Sequence, residues 1–499
     1  MGKTGKALKR RRLEQLERQA AQAPLDSDLD GGADSPPSAA TDFLGGLVTP
    51  AQLAMTVKTL KLLSNKGDLK ALRTAVFDFQ RVGNEVAGTG NSLSSRISAA
   101  LTQHRHTDAL VLLAEMRIRE QHPKLGALQR WVRECDAASR SDGSFGDENV
   151  LRVLDAVLRC TNGEPVFSQE LEDALEKGTE GQVVVRQKEW VHRPQKEKDI
   201  YAEIREGRFP APADRDALAS SFRLLQETPG PERLPPNQFP ALLFTSKPGS
   251  IPLDPAPAQP VTRVEHPYIP GCFMLTDLLS QAECESILAH AEAVGFRPDK
   301  PVGEDQASIL AHNVYWLADE PFLETLYKRF LHIVPQMVDG GQVRGLNARF
   351  RVYRYVPGAI YRPHLDGGWA RSGIDPVTGE YLYDSAPKDK PQWSKFTFLI
   401  YLNDVFDNGC TTFFLPSARN GTMNAFPIKP VQGCALVFPH GEAKGSLLHE
   451  GSPVEGTTGP DGLATAAKYV IRTEVLYDSQ PVGWGVGGKE GEKDENIVA

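Results

Sequence analysis

His364 and Asp366 stand two residues apart in Tyr361-Arg-Pro-His-Leu-Asp-Gly-Gly368, directly after a stretch that alternates like a strand. On an extended chain residues i and i+2 leave the same face, so an imidazole and a carboxylate are offered side by side. Such a pair makes two adjacent corners of a metal site, and a third ligand has to come from elsewhere. His449, in Ser446-Leu-Leu-His-Glu-Gly-Ser-Pro453, is the best candidate, because the strand-like run Gly433-Cys-Ala-Leu-Val-Phe438 would bring the chain back across a sheet. His440 is the lower-ranked alternative, since it follows Pro439 in a predicted loop. Two histidines and one carboxylate on one side of an ion form the facial triad that suits non-haem iron(II), with positions open for oxidant and co-substrate. Alone, His-x-Asp is a weak signal; the competing reading makes Asp366 the cap of a turn and leaves His364 merely exposed.

Open positions on iron need an electron source, which points to a cation able to grip a dicarboxylate. Lys468, Val470, Arg472 and Glu474 share one face of the last β-rich run. Lys468 and Arg472 are roughly 13 Å apart along a strand, so only one of them can bind the far carboxylate. Either could instead be a rim charge. Tyr401 shares a face with Thr397 and Leu399; it could donate its hydroxyl to the same carboxylate or pack in the core. His104, His106, His122, His192, His290 and His332 have no acidic partner at ligand spacing and read as surface or core residues.

The elements that must hold these residues change character along the chain. Residues 1–49 read as a basic, disordered N-terminal segment. The run Lys9-Arg10-Arg11-Arg12 is suited to nuclear import or nucleic-acid contact, or is simply a solvated helix. Residues 50–228 read as helical. Leu60, Leu63, Leu69, Leu72, Val76 and Phe79 recur at three- and four-residue steps, as do Leu110, Leu113 and Met116, and then Leu151, Leu154 and Val157. The likeness of Leu69-Lys-Ala-Leu72 to Leu125-Gly-Ala-Leu128 hints at stacked helical hairpins. Ten prolines between Pro229 and Pro260 mark residues 229–262 as a linker. Beyond it, past a predicted helix over Ala282–Ala293, the period shifts to two. Ala348–Tyr355, Phe396–Leu402 and Tyr469–Tyr477 read as strands of an antiparallel sandwich or jelly roll. Residues 263–480 form the expected catalytic domain and 481–499 a disordered tail. The fold class is α+β, with an all-α N-terminal region.

Composition bounds the function. In 499 residues, 56 Lys and Arg face 64 Asp and Glu, for a net charge of −8. That balance argues against a nucleic-acid coat, so nucleic acid is expected to be touched only through the basic N-terminal segment. No apolar run approaches the ~18 residues a membrane helix needs, and the basic N-terminus has no apolar segment behind it. Cys135, Cys160, Cys272, Cys284, Cys410 and Cys434 are scattered without a CxxC pair and read as reduced thiols. A cytoplasmic or nuclear protein is expected.

From Val264 to Asp478 the chain resembles the catalytic domain of the prolyl 4-hydroxylase branch of iron(II)/2-oxoglutarate dioxygenases. The resemblance rests on the order and spacing of several motifs: Pro270-Gly-Cys-Phe-Met-Leu-Thr-Asp277, Arg351-Val-Tyr-Arg-Tyr-Val-Pro-Gly358, His364-Leu-Asp366 and Phe398-Leu-Ile-Tyr-Leu-Asn403. They continue with Gly409-Cys-Thr-Thr-Phe-Phe414, Val431-Gln-Gly-Cys-Ala-Leu-Val-Phe438, His449-Glu-Gly-Ser-Pro-Val454 and Lys468-Tyr469. It implies a double-stranded β-helix, cupin-like, with flanking helices. It also implies His364, Asp366 and His449 as iron ligands, Lys468 rather than Arg472 on the distal carboxylate of 2-oxoglutarate, and Tyr401 and Tyr355 beside it. The implied reaction hydroxylates a C–H bond with O2, releases succinate and CO2, and uses L-ascorbate as a reductant. A protein or peptide substrate, proline by family precedent, leads. A free amino acid or nucleobase, or a helical protein-binding module with an accessory oxygenase domain, are the alternatives. Two departures stand out. Thr457–Ala467 lengthens the stretch between His449 and Lys468 and reads as a surface loop, while Ala370–Pro391 looks inserted and suits a substrate lid.

Overall fold

The computed structural model describes Met55 and residues 92–479, apart from 136–144, 163–168, 179–180, 197, 234–235, 303–310, 443 and 461. The basic segment 1–49, the leucine pattern of residues 60–79 with its copy of the suspected repeat, and the tail 481–499 lie outside the described residues. From residue 92 on, the described residues open with the helices α1 (Leu93–Thr102), α2 (His106–Ile118), α3 (Leu125–Cys135) and α4 (Glu148–Asn162). After the short α5 (Gln169–Ala174), β1 (Val184–Arg186), α6 (Ile200–Arg205) and α7 (Arg215–Ser220) lead to β2 (Phe222–Thr228) and β3 (Ala241–Ser246). Then follow β4 (Thr262–Glu265), β5 (Phe273–Thr276), α8 (Gln281–Val294), β6 (His312–Leu317) and α9 (Glu320–Lys328). The hairpin β7 (Met337–Val338) and β8 (Gly341–Leu346) precedes β9 (Arg349–Tyr355) and β10 (Tyr361–His364). A short pair, β11 (Gly373–Ile374) and β12 (Tyr381–Leu382), is followed by β13 (Gln392–Tyr401), β14 (Thr411–Pro416) and β15 (Met423–Ile428). β16 (Ala435–Pro439), β17 (His449–Gly451) and β18 (Lys468–Asp478) close the fold.

Strands β9, β18, β13 and β16 lie side by side and antiparallel in the larger sheet. Strands β15, β14, β17 and β10 do the same in the smaller one. The chain crosses between the sheets after β9, β10, β13, β15, β16 and β17, which makes the eight strands a jelly roll. This is the double-stranded β-helix the sequence leads one to expect.

Period-two patterning explains why the sheets face as they do. On β18, Tyr469, Ile471, Val475 and Tyr477 join an outer cluster with Ile287 and Leu288 of α8 and Phe322 and Leu326 of α9. Lys468, Val470 and Arg472 point the other way, into the jelly roll. With both faces covered, every residue of β18 but the last is buried. β13 repeats the scheme, with Phe396, Phe398 and Ile400 outward and Tyr401 inward. Helix α8 starts where a capping box forms: Ser280 Oγ accepts from the Glu283 N–H, and Glu283 accepts from the Ser280 N–H at 2.8 Å.

Three expectations change. The segment 229–262 is not a bare linker, because β3 within it runs between β2, antiparallel, and β6, parallel. The prolines stop at Pro240 and resume at Pro248, which leaves the six residues of β3 free to pair. Within 50–228, β1 adds to the edge of the smaller sheet, parallel to β15, and β2 adds to the larger one. The described helices α1–α4 do not stand apart as a solenoid; Leu113, Leu128, Trp131 and Leu154 share one core with Leu365, Phe414, Met423 and Leu448 of the jelly roll. The inserted segment 370–391 forms the β11–β12 pair, whose Tyr381 is buried against Leu243, Tyr315 and Leu317. Among the described residues no helix is long and apolar enough to cross a membrane.

Candidate metal centre

The register of the smaller sheet sets His364 of β10 directly opposite His449 of β17. A register shift between Tyr361 and His364 puts both rings on the inner side, where they stack with centroids 3.6 Å apart. The Nδ1 of His364 lies 2.8 Å from the Arg362 carbonyl, and that of His449 lies 2.9 Å from the Leu447 carbonyl. A carbonyl can only accept, so each Nδ1 carries the proton and each Nε2 keeps a lone pair. Those lone pairs face Asp366: His364 Nε2 is 3.3 Å from Oδ1 and His449 Nε2 is 3.6 Å from Oδ2.

Ligand atoms of His364, Asp366 and His449 therefore lie within 4.8 Å of one another, all from buried residues. Among the described residues buried His364 Nε2 takes part in no hydrogen bond, and buried Asp366 Oδ1 meets the Arg472 guanidinium as an ion pair. Acceptors turned toward one another with no proton between them are the arrangement that a divalent cation satisfies. The electrostatics agree with the donor set. Burial alone would raise the Asp366 carboxyl, but the Arg472 guanidinium and the two imidazoles outweigh it and hold it well below the usual carboxylate range. Burial, with His364 beside it, pushes His449 down to about 3, so its ring is neutral and able to ligate.

Arg472 and Lys468 separate as their spacing requires. Arg472 Nη2 is 3.0 Å from Asp366 Oδ1. Lys468, opposite Tyr355 in the register of β9 and β18, lies at the other end of the same cavity. Its ammonium donates to the Gly409 carbonyl at 2.8 Å and sits over the rings of Tyr355 (5.4 Å) and Tyr401 (5.8 Å). Burial pushes its pKa down to about 8. Tyr355 lines the cavity together with Tyr353, Tyr361, Leu399, Thr411 and Val470. Tyr401 does not face it directly; its hydroxyl bonds the Thr411 Oγ1 at 2.8 Å, and Thr411 presents itself to the cavity instead. Thr457–Ala467 is a mostly exposed loop, closed by the Thr465 N–H on the Thr457 carbonyl at 2.8 Å, so Lys468 still begins β18.

His440 is not a third ligand. It does not belong to the group whose ligand atoms converge, and both its nitrogens already have hydroxyl partners in Thr397 and Ser394. Two contributors escape the sequence reading. Thr397 Oγ1 donates to Asp366 Oδ2 at 2.6 Å, and its place on the Tyr401 face of β13 was the available signal. Gln129, on α3, donates to the carbonyl of Leu365, the residue between His364 and Asp366, at 3.2 Å. Nothing local in the sequence links positions so far apart.

No protein-family model matches the chain, and a search of curated proteins finds no match. Among solved structures, a viral collagen prolyl hydroxylase from Paramecium bursaria Chlorella virus-1, in its 2OG complex, is similar at 18% identity. That match covers 42% of this chain and 96% of the other, with a TM-score of 0.26. A prolyl-4-hydroxylase from Pseudomonas putida is similar at 19% identity over 41% of this chain and 91% of its own, TM-score 0.26. An oxidoreductase of the 2OG-Fe(II) oxygenase family from Burkholderia pseudomallei is similar at 14% identity over 42% and 85%, TM-score 0.22.

Proposed function

We propose that the chain is an Fe(II)- and 2-oxoglutarate-dependent dioxygenase that hydroxylates a C–H bond of a peptidyl residue such as proline. The observation that carries this reading is the pairing of His364 with His449 across two strands, both Nε2 atoms turned on one buried carboxylate. His364, Asp366 and His449 would hold the iron. Lys468 would hold the far carboxylate of 2-oxoglutarate, with Thr411, oriented by Tyr401, beside it. Tyr355 walls that end of the cavity and shields the ammonium from water. When bound, iron and 2-oxoglutarate supply the activation of O2 and yield succinate and CO2, and L-ascorbate would return oxidised iron to service. The protein's part is position: fixed tautomers, an ionised Asp366, and a buried cation lining the same cavity.

A peptide substrate rests on the resemblance of the motif string to the prolyl 4-hydroxylase branch. A cytoplasmic or nuclear location fits six cysteines that are all buried and unpaired. The test is succinate release by mass spectrometry with Fe(II), 2-oxoglutarate and O2, with and without proline-containing peptides. Wild type is expected to release succinate slowly alone and faster with a substrate peptide, and Asp366→Asn to release none. Iron-replete protein that neither binds 2-oxoglutarate nor forms succinate would sink the reading. Stimulation by a free amino acid or a methylated nucleobase instead of any peptide would move the substrate and keep the chemistry.

A further inference from the structure

Behind Asp366 runs a chain of hydrogen bonds whose direction is set by which atoms can donate. A carboxylate only accepts, so Thr397, 2.6 Å from Asp366 Oδ2, gives it its one proton. Thr397 Oγ1 is also 2.6 Å from His440 Nδ1, which must then be the protonated nitrogen. His440 Nε2, left with a lone pair, lies 2.7 Å from Ser394 Oγ and accepts from it. Ser394 Oγ in turn accepts from the Trp369 N–H at 2.8 Å, and the Ser394 N–H returns to the Trp369 carbonyl at 2.8 Å. His440, Ser394, Thr397 and Asp366 are each 3% exposed or less, so bulk solvent does not compete for these bonds.

The backbone grips the same point. The His440 N–H donates to the Lys395 carbonyl at 3.0 Å, and the Gly441 N–H donates to the Asp366 carbonyl at 3.2 Å. Resting on the metal reading above, we propose that His440 is a positioning residue. Acting through Thr397, it locks the Asp366 carboxylate in the one rotation that meets both imidazoles. Its ring is held between two hydroxyls and has a single tautomer that completes the chain, which an aliphatic side chain of equal bulk cannot reproduce.

The test is Co(II) titration of the full chain, followed by visible absorption, with thermal unfolding of the metal-free protein alongside. His440→Leu is expected to weaken Co(II) binding about 10- to 100-fold. His440→Asn, whose amide N–H reaches the Nδ1 position, is expected to recover most of that loss. In a Thr397→Val background His440→Leu should add less than about threefold, because the chain of bonds is already cut. Wild-type affinity in His440→Leu, or independent losses from Thr397→Val and His440→Leu, overturns the proposal while leaving the metal centre standing. A wild-type chain that takes up no Co(II) overturns the metal reading itself. Should His440→Leu fail to fold, His440→Asn against His440→Gln makes the same comparison, and equal affinities overturn it.

Discussion

Lys468 sits 3% exposed beneath two tyrosine rings, and burial brings its pKa from the ordinary 10.5 down to about 8. It is charged below that pH and loses its proton above it. The dianionic co-substrate proposed for this site needs the charge, so its KM is expected to stay flat below pH 8 and climb roughly tenfold per pH unit above it. Steady-state succinate release across the pH range checks this; a KM still flat well above pH 9 would remove Lys468 from the role. Lys468→Met should raise KM about 10- to 100-fold at neutral pH, as loss of a charge-assisted bond does, and should abolish the pH dependence. The spacing of His364, Asp366 and His449 made them legible, because strand periodicity dictates which side chains share a face. Arg472 was less so. Periodicity places Lys468 and Arg472 on one face but cannot say that Asp366 occupies the ground in front of Arg472.

Helices α3 and α4 do more than fill a layer. Arg159 of α4 pairs with Asp155 one turn earlier at 2.8 Å, both side chains 2% exposed. It also donates to the carbonyls of Ser417 (2.7 Å) and Arg419 (2.9 Å), while Asp155 accepts from the Gly421 N–H at 2.7 Å. The pair thus pins the turn between β14 and β15. Arg159→Met leaves a buried carboxylate without its cation and is expected to cost about 3–5 kcal/mol in urea unfolding. Gln129→Leu removes the bond to the Leu365 carbonyl and should cost only ~1 kcal/mol of stability, yet weaken Co(II) binding severalfold; unchanged affinity would mean that α3 does not brace the His364–Asp366 turn. The leucine spacing of α2 and α4 announced the helices. Their partner did not show, since Gln129 and Leu365 are 236 positions apart and no local pattern encodes such a contact.

The layers of the molecule follow one another: α8 and α9, the larger sheet, the cavity, the smaller sheet, then α1–α4. Cutting the chain to residues 263–480 would bare Phe414, Met423 and Leu448, strip β1 from the edge of the smaller sheet and remove β2 and β3 from the larger one. That fragment is expected to aggregate, whereas 92–479 should unfold cooperatively; size-exclusion chromatography separates the two outcomes. A monomeric, succinate-forming 263–480 fragment would make the helical layer dispensable. Long inward–outward alternation, as in β9, β13 and β18, was readable in advance. The three residues of β1 and the six of β3 were not, being too short for a period and, for β3, hemmed in by prolines. The parallel pairing of β1 with β15 also bears on birth of the chain. Val184 leaves the ribosome about 240 residues ahead of Met423, its partner, and His449 emerges later still. The nascent polypeptide carries an unmatched strand until β15 emerges, and the three candidate ligands can come together only once β17 has followed.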